Sequence, residues 1–375
     1  MAKTKILITI DWFLPGTNSG GPVRSIANMV DNLPEFDFYI VTRNTDYCAN
    51  VPYDTIRSNA WNKLSEHVLV YYFSEEKLNK SSLFDLVKSC QPDVLFVNGI
   101  YSKFFSILPV QIGKKLGITT IVSSRGMLSP HGLALKSLKK KLFLRFVHLV
   151  QFYKNVHFHV TIPEEQQHVK SAVKRYKSIN TIPNFPRKNN ELISPIEKKA
   201  GVLKLISVGR IAPEKGTLDG IKALQYCNGN VTLDLFGTIY DENYWQACKQ
   251  EIEKLDAAIQ VNYKGVLPSE NVLETFNHYH FLLLPSKGEN YGHAIAESFL
   301  AKRPVIISKN TPWKNLEKKG LGFDVLNSEL SATLQQAIDM KNNDYFALTQ
   351  NIGESIDDLF KIEEIKEKYI QLFTK

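Results

Sequence analysis

Compact β-branched or aromatic runs alternate with helix-period stretches along the whole chain, and this alternation restricts the fold more than any other feature. KILITI (5–10), FYIVT (38–42), VLVYYF (68–73), DVLFVN (93–98), TTIVSS (119–124) and HFHVTI (157–162) read as strands. RSIANMVDNL, LFDLVKSC and VQIGKKLG lie between several of them. Such a βαβ rhythm predicts a parallel sheet covered on both faces. It breaks at TIPNFPRKNNELISPIEKKAG (181–201), whose three prolines, adjacent asparagines and charges read as an interdomain linker. It restarts with KLISVGR (204–210), TLDLFG (232–237), IQVNYKG (259–265), FLLLP (281–285) and PVIIS (304–308).

Two Rossmann-like α/β domains are therefore expected, over 1–185 and 204–355, joined by a linker over 186–203. At 375 residues the chain also exceeds the size at which one core usually stops growing. The end of the chain, 356–375, reads as an amphipathic charged helix with Leu359, Ile362, Ile365, Tyr369 and Leu372 on one side. It is expected to pack back on the first domain. Open parallel sheets bind ligands at the carboxyl ends of their strands, so two facing sheets predict a ligand cleft between them.

Composition excludes little. Hydrophobic residues make up 43% and charged residues 22%, as in ordinary globular proteins. Cys48, Cys90, Cys227 and Cys248 form no CxxC and have no His at metal-ligand spacing, which suits reduced thiols. MAKTKILITIDWF carries only a short apolar run, and no apolar stretch is long enough to span a bilayer, so a cytoplasmic location is expected. The net charge of +8 suits nucleic acid, an anionic membrane surface or phosphorylated substrates.

Two strand ends carry chemistry. In FLLLPSKGENYGHAIAESFL, Gly288 and Gly292 permit tight turns, and Asn290 is placed to cap the following helix. A helix starting near Gly292 directs N–H groups and a partial positive charge outward, an anion site. Glu289 precedes it and Glu297 lies inside it, roughly 10 Å apart along the axis. That separation is too wide for paired acid/base work on one bond. It suits an elongated ligand with hydroxyls at both ends and phosphates between: sugar hydroxyls for Glu289, ribose hydroxyls for Glu297. A solvated turn acid and a surface helix acid fit the same residues. In SVGRIAPEKGTLDGIKAL (207–224), Arg210 and Lys215 put two cations at the strand end, a bidentate fork and a point charge for phosphate, or ordinary loop cations.

Taken together these residues resemble the retaining GT-B glycosyltransferases of the "glycosyl transferases group 1" family, bacterial polysaccharide-biosynthesis type, and the resemblance covers nearly the whole chain. Its most specific part is the E-x7-E signature, Glu289 to Glu297 in PSKGENYGHAIAE, followed by PVI at 304–306. The resemblance implies a nucleotide-diphosphate sugar as co-substrate, no further cofactor, and a donor site in the second domain. It makes Arg210 and Lys215 the diphosphate clamp and, with Glu289, the catalytic set. Asn290, Tyr291, Gly292, His293 and Glu297 join the donor site. GGPVRSIANMVDNL resembles the family's N-terminal glycine loop, placing Gly20 and Gly21 beside the transferred group. YKGVLPSENV puts Gly265 and Val266 near the nucleobase. IPNFP resembles the family's hinge-proximal segment.

On the acceptor side the chain departs from the family pattern. Arg125, in IVSSRGMLSPHG, stands where many members have a histidine; His131 follows six residues on, and Asn98 replaces another common histidine. No Asp-x-Asp triplet occurs, so no metal is implied. LALKSLKKKLFLRFVHLVQF (133–152) places Leu138, Leu142, Phe146 and Leu149 at helical spacing among Lys136, Lys139, Lys140, Lys141 and Arg145. It reads as a helix lying on anionic lipid or as a core helix with a solvated lysine face.

The implied reaction is sugar transfer with retention to a saccharide or lipid-linked saccharide, metal-independent, at or near the inner membrane face. Two rivals stand beside it. A GT-B nucleotide-sugar epimerase would share fold and donor site. A basic nucleic-acid-binding protein would use the charge, although its lysines lack interleaved aromatics and no nucleic acid is expected as partner.

Overall fold

The computed structural model describes residues 3–129, 137–188 and 193–375. The chain divides into two compact units, Met1–Phe185 with Ile362–Lys375, and Pro186–Lys361.

In the first unit the strands are β1 (Lys5–Thr9), β2 (Asp37–Arg43), β3 (Trp61–Ser65), β4 (Val68–Phe73), β5 (Val94–Asn98), β6 (Thr119–Ser123), β7 (His157–Val160) and β8 (Ser178–Thr181). They form one sheet in the order β3-β4-β2-β1-β5-β6-β7-β8. Every pairing is parallel except β3 with β4, an antiparallel edge hairpin. The helices are α1 (Gly21–Asn32), α2 (Lys80–Cys90), α3 (Leu108–Leu116), α4 (Ser137–Leu149), α5 (Pro163–Ala172) and, from the chain's end, a helix over Ile362–Phe373.

Side chains of a strand alternate between the sheet faces, and here both faces are apolar. Ile6, Ile8, Ile40, Val94 and Phe96 enter one core with Ile26 and Met29 of α1. Leu7, Leu95, Val97 and Val122 enter the other with Leu83, Val87 and Ile112. The helix over Ile362–Phe373 lies on the first face: Ile365, Tyr369, Leu372 and Phe373 are all buried there. Tyr369 stacks on Phe185 at 5.3 Å between ring centroids, and its hydroxyl lies 3.0 Å from His159 Nε2. Residues 356–360, by contrast, close the long helix of the second unit.

That second unit has β9 (Val202–Val208), β10 (Asn230–Phe236), β11 (Ile259–Tyr263), β12 (Phe281–Leu284), β13 (Val305–Ser308) and β14 (Gly322–Val325). All pair in parallel in the order β11-β10-β9-β12-β13-β14. Its helices are α6 (Thr217–Leu224), α7 (Glu242–Ile252), α8 (Val272–Phe276), α9 (His293–Leu300), α10 (Leu330–Asp339) and α11 (Asn342–Phe360), and α12 is the Ile362–Phe373 helix of the first unit. The β12 segment FLLL is wholly buried, as a strand covered on both faces must be. The described part of 186–203 packs on this unit: Arg187 donates to Ser269, and Lys198 is buried with its Nζ donating to the Ile338, Met340 and Lys199 carbonyls. Burial pushes the Lys198 ammonium down to about 8.

Chain order sets the position of the site. β9 leads outward through β10 and β11; the chain then crosses back to β12 and continues outward through β13 and β14. The reversal lies between β9 and β12, the switch point at which parallel sheets leave a crevice at their carboxyl ends.

Candidate functional site

At this reversal two loops meet. The loop after β9 carries Arg210, Glu214 and Lys215; the loop after β12 carries Ser286, Glu289 and the turn into α9. Lys287 N donates to Glu214 O at 2.9 Å, joining them by a backbone bond. Gly216 explains how closely they approach. Its φ is +71°, and a Cβ there would fall 2.1 Å from the Pro285 carbonyl oxygen. Only glycine fits, so the loop can lie directly on the exit of β12.

The acid meets one of the two cations. Lys215 Nζ donates to Glu289 Oε1 at 2.6 Å, with only 22% and 11% of the two side chains exposed. Arg210 pairs with Glu214 at 3.0 Å and lies over the Tyr240 ring at 5.5 Å. Nearly half of its side chain stays exposed, so its fork remains available. Ser286 is fully buried, and no partner for its Oγ occurs among the described residues. A buried hydroxyl in that state is a donor waiting for an acceptor.

The turn into α9 differs from the sequence expectation in one respect. Asn290 does not cap the helix: the N-cap is Gly292, with φ of 79° and ψ of 66°, and no side chain caps it. The turn is braced from behind instead, by Trp313 Nε1 donating to Tyr291 O at 2.6 Å. Tyr291 packs edge-on against His293 at 4.9 Å. Glu297 lies on the second turn of α9 and is buried to 4% exposure, not a surface helix acid.

The next strand ends adjoin. Gly237, after β10, donates to the Gly265 carbonyl at 2.8 Å, and Gly209 N donates to Phe236 O. A Cβ on Gly237 would fall 1.8 Å from Gly209 O, so this row of strand ends is also closed by glycine. Gly265 has φ of +77° with open space where a Cβ would point, and Val266 is 48% exposed. The second unit thus places Arg210, Lys215, Gly265, Val266, Glu289, Asn290, Tyr291, Gly292, His293 and Glu297 on adjacent strand ends. Sequence reasoning took Gly216 only as part of the cation-bearing loop, without the close approach it permits, and passed over Gly237, Tyr240 and Ser286.

The remaining candidates lie in the first unit. Gly20, with φ of 72° and open space at its Cβ position, is the N-cap of α1, and Gly21 opens the helix. Asn98 ends β5 and Arg125 follows β6. Arg125 Nε donates to Asn98 Oδ1 at 2.6 Å, and Nη1 donates to Asn184 Oδ1 at 2.7 Å. The Arg125 backbone is left-handed, with φ of 49°. Buried Glu165 holds that turn, accepting from Ser124 Oγ, Gly126 N, and the N and Oγ1 of Thr161. Burial, with Arg125 nearby, pushes His159 down to about 3, so it is a neutral ring bonded to Ser123, Ile182 and Tyr369. His131 lies outside the described residues. A second cluster follows β1: Asp11 accepts from Ser102 Oγ at 2.8 Å beside Arg43, and burial raises its carboxyl above the usual range.

Two α/β units of this kind, each built on a largely parallel sheet, make the GT-B fold. Residues 189–353 match the family model for glycosyl transferases group 1. Solved structures of the same fold include HepE of Anabaena in complex with UDP-glucose, with a TM-score of 0.72 and 15% identity over 99% of both chains. Sucrose-phosphate synthase of Thermosynechococcus elongatus has a TM-score of 0.69 at 16% identity, over 100% of this chain and 98% of the other. Trehalose-6-phosphate synthase OtsA has a TM-score of 0.70 at 9% identity, over 100% and 99%. No curated protein sequence matches the chain significantly.

Proposed function

We propose that the chain transfers a sugar from a nucleotide-diphosphate sugar to a saccharide or lipid-linked saccharide, with retention of anomeric configuration, in the synthesis of a surface polysaccharide. The observation that carries this reading is the Lys215–Glu289 pair at the switch point of a group 1 domain. Complexes of a same-fold protein support it, since HepE is described in complex with UDP and glucose, and with UDP-glucose.

Each group then has a role that follows from its chemistry. Arg210 and Lys215 bind the diphosphate, and with the first turn of α9 they stabilise the charge that grows on the leaving phosphate. These cations supply that charge without a metal. Glu289 turns from Lys215 to the sugar hydroxyls once the ligand's phosphate takes its place. Glu297 binds the ribose, and the Gly265–Val266 edge lies against the base. On the acceptor side, Arg125, held by Asn98 and Asn184, offers its positive charge to an acceptor phosphate or to the sugar. Retention reflects front-side displacement, with no protein nucleophile assigned.

Calorimetric titration with nucleoside diphosphates tests the reading. Wild type should bind at least one of them, and Arg210→Ala, still folded, should bind it roughly tenfold to a hundredfold more weakly. Equal affinity in the two proteins would remove Arg210 from the clamp.

A further inference from the structure

Helix α4 is apolar on two faces. Phe143, Leu144 and Val147 pack into the core of the first unit, and Lys140 lies over the Tyr101 ring at 5.0 Å. The other face is in the open: Leu138 is 81% exposed, Leu142 67%, Phe146 56% and Leu149 82%. Their spacing makes one stripe roughly 16 Å long on the helix. Contiguous apolar surface of this kind marks an interaction site. Lys139, Lys141 and Arg145, all exposed, alternate with it.

Charge identifies what covers the stripe. Residues 94–163 contain ten Lys and Arg and not one Asp or Glu, whereas the rest of the chain has 36 against 38. The whole positive excess of the protein therefore lies in the segment that carries α4. At the end of α4, Leu149 and Val150 form one edge of a cavity of about 580 Å³. Lys114, Lys154 and Lys177 stand in its walls, and among the described residues no acid does. Thr119 and Val156 place it at the amino ends of β6 and β7, the opposite end of the sheet from Arg125. It is thus separate from the acceptor-side cluster.

We propose that α4 lies in the headgroup layer of an anionic phospholipid bilayer. Leu138, Leu142, Phe146 and Leu149 enter the acyl boundary, and the cavity takes a phosphate-bearing headgroup among Lys114, Lys154 and Lys177. An interfacial helix binds by this combination of buried apolar area and attraction to anionic lipid. A bilayer needs only the uniform positive field and the single-helix stripe seen here. The proposal deepens the acceptor reading above and rests on it for its purpose, because a lipid-linked acceptor is presented in the same plane.

Co-sedimentation of the full chain with phosphatidylcholine vesicles, with and without phosphatidylglycerol, tests it at low and physiological salt. Wild type should pellet with the anionic vesicles and stay in solution with the neutral ones. Leu142→Ser with Phe146→Ser, changes at exposed positions, should reduce the bound fraction about tenfold or more. Lys154→Glu with Lys177→Glu should lower binding by a similar factor, most clearly at low salt. Wild type left in the supernatant with anionic vesicles at low salt overturns the proposal. So does a self-associated wild type, by analytical ultracentrifugation, that the Leu142/Phe146 variant makes monomeric while vesicle binding is absent. Binding unchanged in the Lys154/Lys177 variant removes the headgroup cavity. Nucleoside diphosphate titration of the same preparations reports on the donor site separately.

Discussion

Lys215 Nζ and Glu289 Oε1 lie 2.6 Å apart although 74 residues separate them in the chain, one after β9 and the other after β12. Without ligand each satisfies the other, so neither half-buried charge is left alone. On the function proposed above, a diphosphate would offer Lys215 a doubly charged alternative and release the carboxylate toward the sugar. The pair would then be a ligand-exchangeable contact, and its two members should have separable effects.

Lys215→Ala should weaken nucleoside diphosphate and nucleotide-sugar binding together, by roughly tenfold to over a hundredfold, the value of a lost charge-assisted contact. Glu289→Gln should leave nucleoside diphosphate affinity within about threefold of wild type, a difference under 1 kcal/mol, and lower turnover far more. Calorimetry and initial rates on the two variants distinguish these outcomes. A parallel loss of nucleotide affinity in both would show that Glu289 serves the phosphates.

Glu297 is buried on α9, so a truncation there risks the helix as well as the ligand. Glu297→Gln keeps the shape and removes the charge. It should weaken a ribonucleoside diphosphate by about tenfold, the value of roughly 1.4 kcal/mol, and inorganic pyrophosphate hardly at all. Equal losses for the two ligands would place Glu297 off the ribose.

Gly216→Ala forces a side chain into the left-handed region and against the Pro285 carbonyl. The conformational strain alone is about 1 kcal/mol, and the clash adds to it. The melting temperature should fall by several degrees and nucleotide affinity should drop, because the loop carrying Lys215 can no longer lie on β12. A variant with unchanged melting temperature and affinity would show that the close approach is dispensable.

Acid stability should report two buried histidines. His280 Nδ1 accepts from Lys204 N at 2.9 Å and Nε2 donates to Glu197 O at 3.0 Å, and burial pushes the ring down to about 4. His159, in the first unit, is pushed down to about 3. Both rings are neutral when folded, whereas the unfolded chain protonates them near 6.5. The unfolded state then binds more protons below that pH, so stability falls as the pH drops from about 6.5 toward 4. His280→Gln should flatten the slope of melting temperature against pH in that window, whatever it does to the absolute value. An unchanged slope would assign the acid sensitivity elsewhere.

Much of this was legible in the sequence. The strand–helix rhythm located both sheets, because buried parallel strands such as FLLL and VIIS are continuous apolar runs. Short or half-polar edge strands left no such trace: WNKLS (β3), SINT (β8) and GFDV (β14) escaped the reading. The spacing of Glu289 and Glu297 and the cations Arg210 and Lys215 were visible as types at strand ends. What pairs them was not, since the Lys215–Glu289 contact depends on Gly216 allowing one loop onto another strand's exit. The stripe at Leu138, Leu142, Phe146 and Leu149 was visible too, but periodicity alone cannot tell a core face from an exposed one. Here the core took Phe143, Leu144 and Val147 instead.

Sugar transfer itself is measured most directly by proton and phosphorus NMR of a nucleotide-sugar panel incubated with the protein, with and without a lipid-extract acceptor pool. One donor should be consumed, releasing its nucleoside diphosphate, only when the acceptor is present, and the new glycosidic anomeric signal should keep the donor's configuration. The Lys215→Ala variant should leave that donor intact. A donor sugar that changes configuration at a ring carbon with no acceptor present would make the chain an epimerase and contradict the transfer reading.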